Sequence, residues 1–206
     1  MEKIKKLFGQ TELSWKQIFL FALLAGVYAG VADLIPALED TSFSDISVSF
    51  EWWILFGIFL VVNCTTPGEA AAKTFLFLLI SQPLSCLIQL PFVGWSSFAG
   101  WPVWTALTVL SFPLGFAIWY VRQKNLLSVL LLIPVNAFLA LHAIYYLWEA
   151  AERFPRHLLS GLFSIALILV FVFCLFEGKA ARVGSLWAAA FFLCLFAWLQ
   201  LNASAI

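Results

Sequence analysis

Seven apolar runs follow one another along this chain: Trp15–Ile35, Glu51–Thr65, Pro67–Phe92, Pro102–Val121, Leu126–Trp148, Leu158–Phe176 and Val183–Leu201. A hydrocarbon core about 30 Å thick is crossed by roughly 20 helical residues, within a range of about 17–25. Inside it each backbone polar group needs a partner within its own helix or a closed barrel. Six of the runs reach that length. The second is weak, because its uninterrupted apolar part extends only from Trp52 to Val62. The 206 residues are 64% hydrophobic and 11% charged, against about 45–50% and about 25% in a soluble domain. The predicted fold is therefore all-α: a polytopic integral membrane protein, multi-pass in the cell membrane, with residues 1–206 forming one transmembrane domain.

The basic residues decide how many of the runs cross. With seven spans and the N-terminus inside, the inner side carries Lys3, Lys5, Lys6, Lys16, Lys73, Arg122, Lys124, Lys179 and Arg182, and the outer side only Arg153 and Arg156. If the second run is re-entrant instead, every later loop changes side and the split becomes 6 against 5. Lysine and arginine concentrate in cytoplasmic loops, so the expectation is a seven-transmembrane-helix bundle, N-in and C-out. Residues 1–14 alternate lysines with Ile4, Leu7 and Phe8, which suits a short helix on the inner surface. The run behind Lys3, Lys5 and Lys6 is too long for a signal-peptide core.

The third run organises the rest. Thr66-Pro67-Gly68-Glu69 reads as a capping box, with Thr66 at the N-cap, Pro67 at the first helical position and Glu69 reaching back. Gln82, Ser85 and Gln89 then share one face of the helix, with Pro83 among them to kink it. A polar stripe has no reason to face lipid, so this helix is expected to wall an interior. Pro113 with Ser111, and Pro134 with Asn136, repeat the pattern in the next two spans, where His142, Tyr145, Tyr146 and Glu149 also share a face. Interrupted helices at mid-depth accompany binding sites in transporters, and prolines are also ordinary in membrane helices.

The first span carries Ala22, Gly26 and Gly30 at four-residue spacing, with Ala25 and Ala29 alongside. Such a ridge lets helix backbones approach closely, within the chain or against a second copy or membrane partner. It is similar to the small-residue ridge of the vitamin-binding S-components of energy-coupling-factor transporters. That resemblance covers one helix and implies ligand capture from outside and docking on a partner through the first helix. Asp33, near the outer end of this span, reads either as a functional acid or as a hydrated cap.

Seven of ten tryptophans fall at the outer side of this topology: Trp52, Trp53, Trp95, Trp101, Trp104, Trp148 and Trp198. An aromatic belt explains part of that bias. The excess suggests an outward aromatic pocket, which Asp33, Glu51 and Glu149 would suit to a small cationic or aromatic ligand. The expected binding residues are Gln82, Ser85, Gln89, Asn136 and His142, with Trp95, Trp101 and Trp104 at the mouth and Asp33 supplying charge.

Other classes fare worse. A formal net charge of zero gives no electrostatic case for nucleic acid. Cys64, Cys86, Cys174 and Cys194 form no C-x-x-C pair and read as small buried hydrophobes. His142 and His157 lack a carboxylate or second histidine at ligand spacing, so no metal, cofactor or catalytic residue is expected. The functional expectation is a protein that binds or transports a small molecule through a cavity open to the outer face between the third, fourth and fifth helices. The alternative is a non-transporting assembly subunit, such as the substrate-capture or accessory subunit of a larger transporter; an intramembrane enzyme ranks third.

Overall fold

The computed structural model describes residues 8, 11–38, 41–43, 45, 50–123, 126–175, 182–184, 186–187, 190–191 and 194. The expected surface helix over 1–14 and the seventh span over 183–201 lie largely outside them. Six α-helices occupy the described residues: α1 (Trp15–Ala32), α2 (Phe50–Val62), α3 (Pro67–Val93), α4 (Trp101–Ile118), α5 (Leu126–Glu152) and α6 (Leu158–Leu175). Short 3₁₀ turns follow α1, α3 and α4, and no strand occurs among the described residues. Five of the helices are long and apolar enough to cross a membrane, as a multi-pass membrane protein requires. The exception is α2, whose 13 residues extend only about 20 Å at 1.5 Å per residue.

The chain divides into two compact units, Met1–Trp119 and Tyr120–Ile206. The first is built around α3. Thr66 caps that helix as expected, its hydroxyl accepting from the Glu69 amide at 3.1 Å. The Glu69 carboxylate departs from the expected box by one residue. Its Oε2 accepts from the amide and the hydroxyl of Thr65, each at 2.7 Å. Thr65 presents its amide and its hydroxyl together as two donors to one carboxylate oxygen. Pro83 and Pro91 both lie inside a helix that continues through them to Val93.

Parallel to α3 runs α1. Its start meets the start of α3, where the Lys73 ammonium donates to the Leu13 carbonyl and to Glu69 and sits 5.3 Å from the Trp15 ring. Its end meets the end of α3, where Gln89 Nε2 donates to Asp33 at 2.8 Å. Between them the glycines touch backbone: a Cβ added at Gly26 would lie 2.7 Å from the Ser81 carbonyl, and one at Gly30 would lie 3.0 Å from that of Ser85. The ridge on α1 is therefore engaged by α3 of the same chain. Ser14 opens α1 with a full capping box, its hydroxyl accepting from Gln17 N at 3.3 Å and its own amide donating to Gln17 Oε1 at 2.7 Å.

Antiparallel to both runs α2. Asn63, just past its end, accepts from Thr11 N at 3.0 Å beside the start of α1, while its first turn meets α4 through Phe50 and Trp104. The fourth helix returns along α3, its Gly115 against Ala70, Ala71 and Thr74, and Trp119 closes the end by donating to the Cys64 carbonyl at 3.0 Å. Ile18, Ala22, Leu60 and Phe77 form the buried centre of this unit.

In the second unit, α5 and α6 form a hairpin, and Gly161 packs on Leu147. Ser160, Gly161 and Ser164 are buried along that side of α6.

The α1–α3 contact yields a test. Gly26→Leu drives carbon into a backbone carbonyl that cannot yield, and overpacking of this kind costs about 1–3 kcal/mol. Gly57→Ala, in the middle of α2 with nothing within 4 Å of its added carbon, should instead raise stability by about 0.5–1 kcal/mol through helix propensity. Denaturation in detergent micelles measures both.

Candidate binding cavity

A cavity of about 430 Å³ lies between α1 and α2, within the range of about 300–1,000 Å³ usual for small-molecule sites. Its walls are Phe21, Leu24, Ala25, Tyr28 and Ala29 from α1 and Trp52, Trp53 and Phe56 from α2, with Phe43 from the connecting segment. The cause is a mismatch of side-chain sizes. Helix α1 spends its smallest residues on the close approach to α3, whereas the first half of α2 is aromatic. Phe21, Phe56, Phe77 and Trp53 meet as a floor of rings: Phe21 and Phe56 lie 4.8 Å apart at 76°, and Trp53 and Phe77 lie 5.9 Å apart. Beyond that floor, toward the end of α1, Ala25 and Ala29 are too small to fill the space facing Trp52 and Trp53. The Tyr28 hydroxyl donates to the Phe43 carbonyl at 3.3 Å, which ties Phe43 to this end. Among the described residues no charged side chain lines the cavity.

The residues singled out from the sequence lie elsewhere. Gln89 and Asp33 are brought together by their hydrogen bond, on an exposed edge of α1 and α3. Ser85 turns its carbonyl toward Gly30. Gln82 is buried and its side-chain amide nitrogen has no hydrogen-bond partner. The polar stripe is thus spent largely on helix contacts within the first unit. Trp104 packs on Trp53 and Phe50. Trp95, 81% exposed, stacks on Phe98, and Phe98 on Trp101. None of these three tryptophans borders the cavity. Asn136 and His142 belong to α5 in the second unit, Asn136 fully buried and His142 between the rings of Phe138 and Tyr146, at 4.2 and 5.8 Å.

Sequence reasoning ranked polar groups and so passed over the cavity's own residues. The available signal was the aromatic cluster Trp52-Trp53-x-x-Phe56, set against alanines left over on the ridge side of α1. In the second unit Glu152 accepts from Trp148 Nε1 at 2.8 Å.

Compared with protein-family models, curated proteins and solved structures, the chain matches none. The reading of the cavity therefore rests on its own chemistry.

Two substitutions separate the roles of the glutamines. Gln82→Leu removes a buried amide with no partner and should leave stability unchanged or raised, because an unsatisfied buried group carries a penalty of about 1–3 kcal/mol. Gln89→Leu should lower stability. A double-mutant cycle with Asp33→Asn should return a coupling of about 0.6 kcal/mol, typical of hydrogen bonds between membrane helices. Equilibrium unfolding of the single and double variants provides both results.

Proposed function

We propose that this multi-pass membrane protein binds a small molecule in the cavity between α1 and α2, acting as a carrier or capture protein rather than an enzyme. The observation that carries the reading is an apolar space of about 430 Å³ walled by rings, with the Tyr28 hydroxyl bonded to the Phe43 carbonyl at one end. The assembly-subunit reading has less to stand on, since the ridge proposed for its partner is already covered by α3.

The helix directions support a topology for this site. A re-entrant α2 would return the chain to the side it came from, and α3 would then run opposite to α1. The two are parallel, so the chain passes back across between them, with α2 as the helical part of that passage. Lys16 and Lys73 lie at the end shared by the start of α1 and the start of α3; Asp33, Glu51, Trp95 and Trp101 belong to the other. By the positive-inside rule the first end faces the cytoplasm, which supports seven spans and a cavity in the outer half.

Two measurements test these statements. Single cysteines replacing Thr11 and Gly68 should react with an impermeant thiol reagent only from the inner side, and those replacing Asp33 and Ser96 only from the outer side. Protein extracted gently from its membrane should yield a stoichiometric small molecule by mass spectrometry, and Ala25→Phe, which fills the space, should lose it. Retention of the molecule by Ala25→Phe overturns the assignment of the site.

A further inference from the structure

We propose that the occupant is a single uncharged hydrocarbon chain, acyl or isoprenoid, lying along α1 with its polar end at Tyr28. This rests on the reading of the cavity as a ligand site. Wall chemistry is the first argument. Among the described residues the lining offers a tyrosine hydroxyl and two indoles but no carboxylate, amine or guanidinium, and an isolated charge brought against them would lose its hydration with nothing there to replace it. The nearest acids in sequence, Glu51 beside Trp52 and Asp45 two residues after Phe43, are buried and stand outside the lining, and Asp33 is engaged by Gln89. A cationic ligand is therefore disfavoured.

Shape is the second argument. The α1 wall runs from Phe21 to Ala29, a rise of about 12 Å at 1.5 Å per residue. A methylene fills roughly the volume of a water molecule, about 30 Å³, so the cavity holds on the order of a dozen carbons. Access is the third. Leu24 lines the space and is 60% exposed, with Leu20, Val27 and Val31 also exposed on α1. The cavity thus communicates sideways with the surface that meets lipid, and a chain can enter from the leaflet without crossing water.

Selectivity over bulk lipid cannot come from the hydrophobic effect, because acyl tails outside are as apolar as the wall. It has to come from fit. Phe43, bonded to Tyr28, stands at the end where a head group sits. A small hydroxyl head can exchange hydrogen bonds with Tyr28 and the Phe43 carbonyl there, whereas a phosphate has no cationic partner among the described residues of the wall.

The test uses the full chain in phosphatidylcholine nanodiscs with two photoactivatable probes, a diazirine-bearing hexadecanol and a diazirine-bearing phosphatidylcholine. Adducts are mapped by mass spectrometry. The expected result is hexadecanol labelling at Leu24, Tyr28, Trp52 or Phe56, several-fold above that at Val109 and Leu110 of α4. Unlabelled hexadecanol should compete it away, excess tyramine should not, and Ala25→Phe should lose it. Leu24→Trp, a change at an exposed position, should lose it too and guards against misfolding of the first variant; circular dichroism melts confirm that both fold. Equal labelling of the cavity by the phosphatidylcholine probe overturns the single-chain assignment in favour of ordinary bilayer lipid. Competition by tyramine overturns the chemical class while the site stands. Labelling indifferent to every competitor and to both variants removes the site, and the proposed function with it.

Discussion

Lipid tails are as apolar as leucine, so helices in a bilayer gain nothing from hiding apolar surface against one another. They associate where backbones can come within van der Waals reach. Among the described residues the backbones come nearest where Gly26 and Gly30 admit the carbonyls of Ser81 and Ser85. The pair is pinned at both ends, by Lys73 on the Leu13 carbonyl and by Gln89 on Asp33. Because the two pins join start to start and end to end, α1 and α3 must be parallel. Everything between them then has to return the chain, and the return is made by a helix of 13 residues and a connecting segment.

That constraint accounts for the polar residues buried in the first unit. Thr74, Thr108 and Ser111 donate back to carbonyls three or four residues earlier, at 2.9, 2.8 and 2.7 Å. Ser164 of the second unit does the same at 3.0 Å. A hydroxyl satisfied on its own helix behaves toward its neighbours as a small apolar group, and small groups are what close helix packing needs. Lys73, 3% exposed, is a buried basic member and is matched by a carboxylate one turn before it, a carbonyl and an indole face. Removing either member of such a pair leaves the other poorly solvated, so the end shared by the starts of α1 and α3 is held by a network whose parts depend on one another.

The periodic and local features were legible in the residues. Helix limits follow from run length, the start of α3 from Thr66 and Pro67, and the small-residue ridge from its four-residue spacing. What could not be read was which neighbour each face meets, because that is decided by side-chain sizes on two helices at once. Gln89 and Asp33 were singled out separately, one as a stripe residue and one as a lone acid, and only the parallel register of α1 and α3 makes them a pair. Trp104 looked like a cavity mouth by its position after a glycine turn, yet it lies on Trp53 and Phe50. Polar residues mark where a membrane helix does not face lipid. They do not say whether it faces water, a ligand or another helix.

The cavity follows from the same size mismatch, and its persistence needs a reason. Close packing with α3 requires small residues at Ala22, Gly26 and Gly30, one ridge of α1. Ala25 is only partly buried, and no close approach to α3 demands its size. A larger apolar side chain there would meet Phe56 and Trp53 and replace empty space with contact, a kind of change that usually stabilises a protein. An empty space forfeits the dispersion that its wall atoms would gain from a neighbour. In a bilayer that space need not stay empty, because a chain from the surrounding leaflet can supply the missing contacts. The short aromatic α2, too brief to span by itself, is then the wall that such a chain completes.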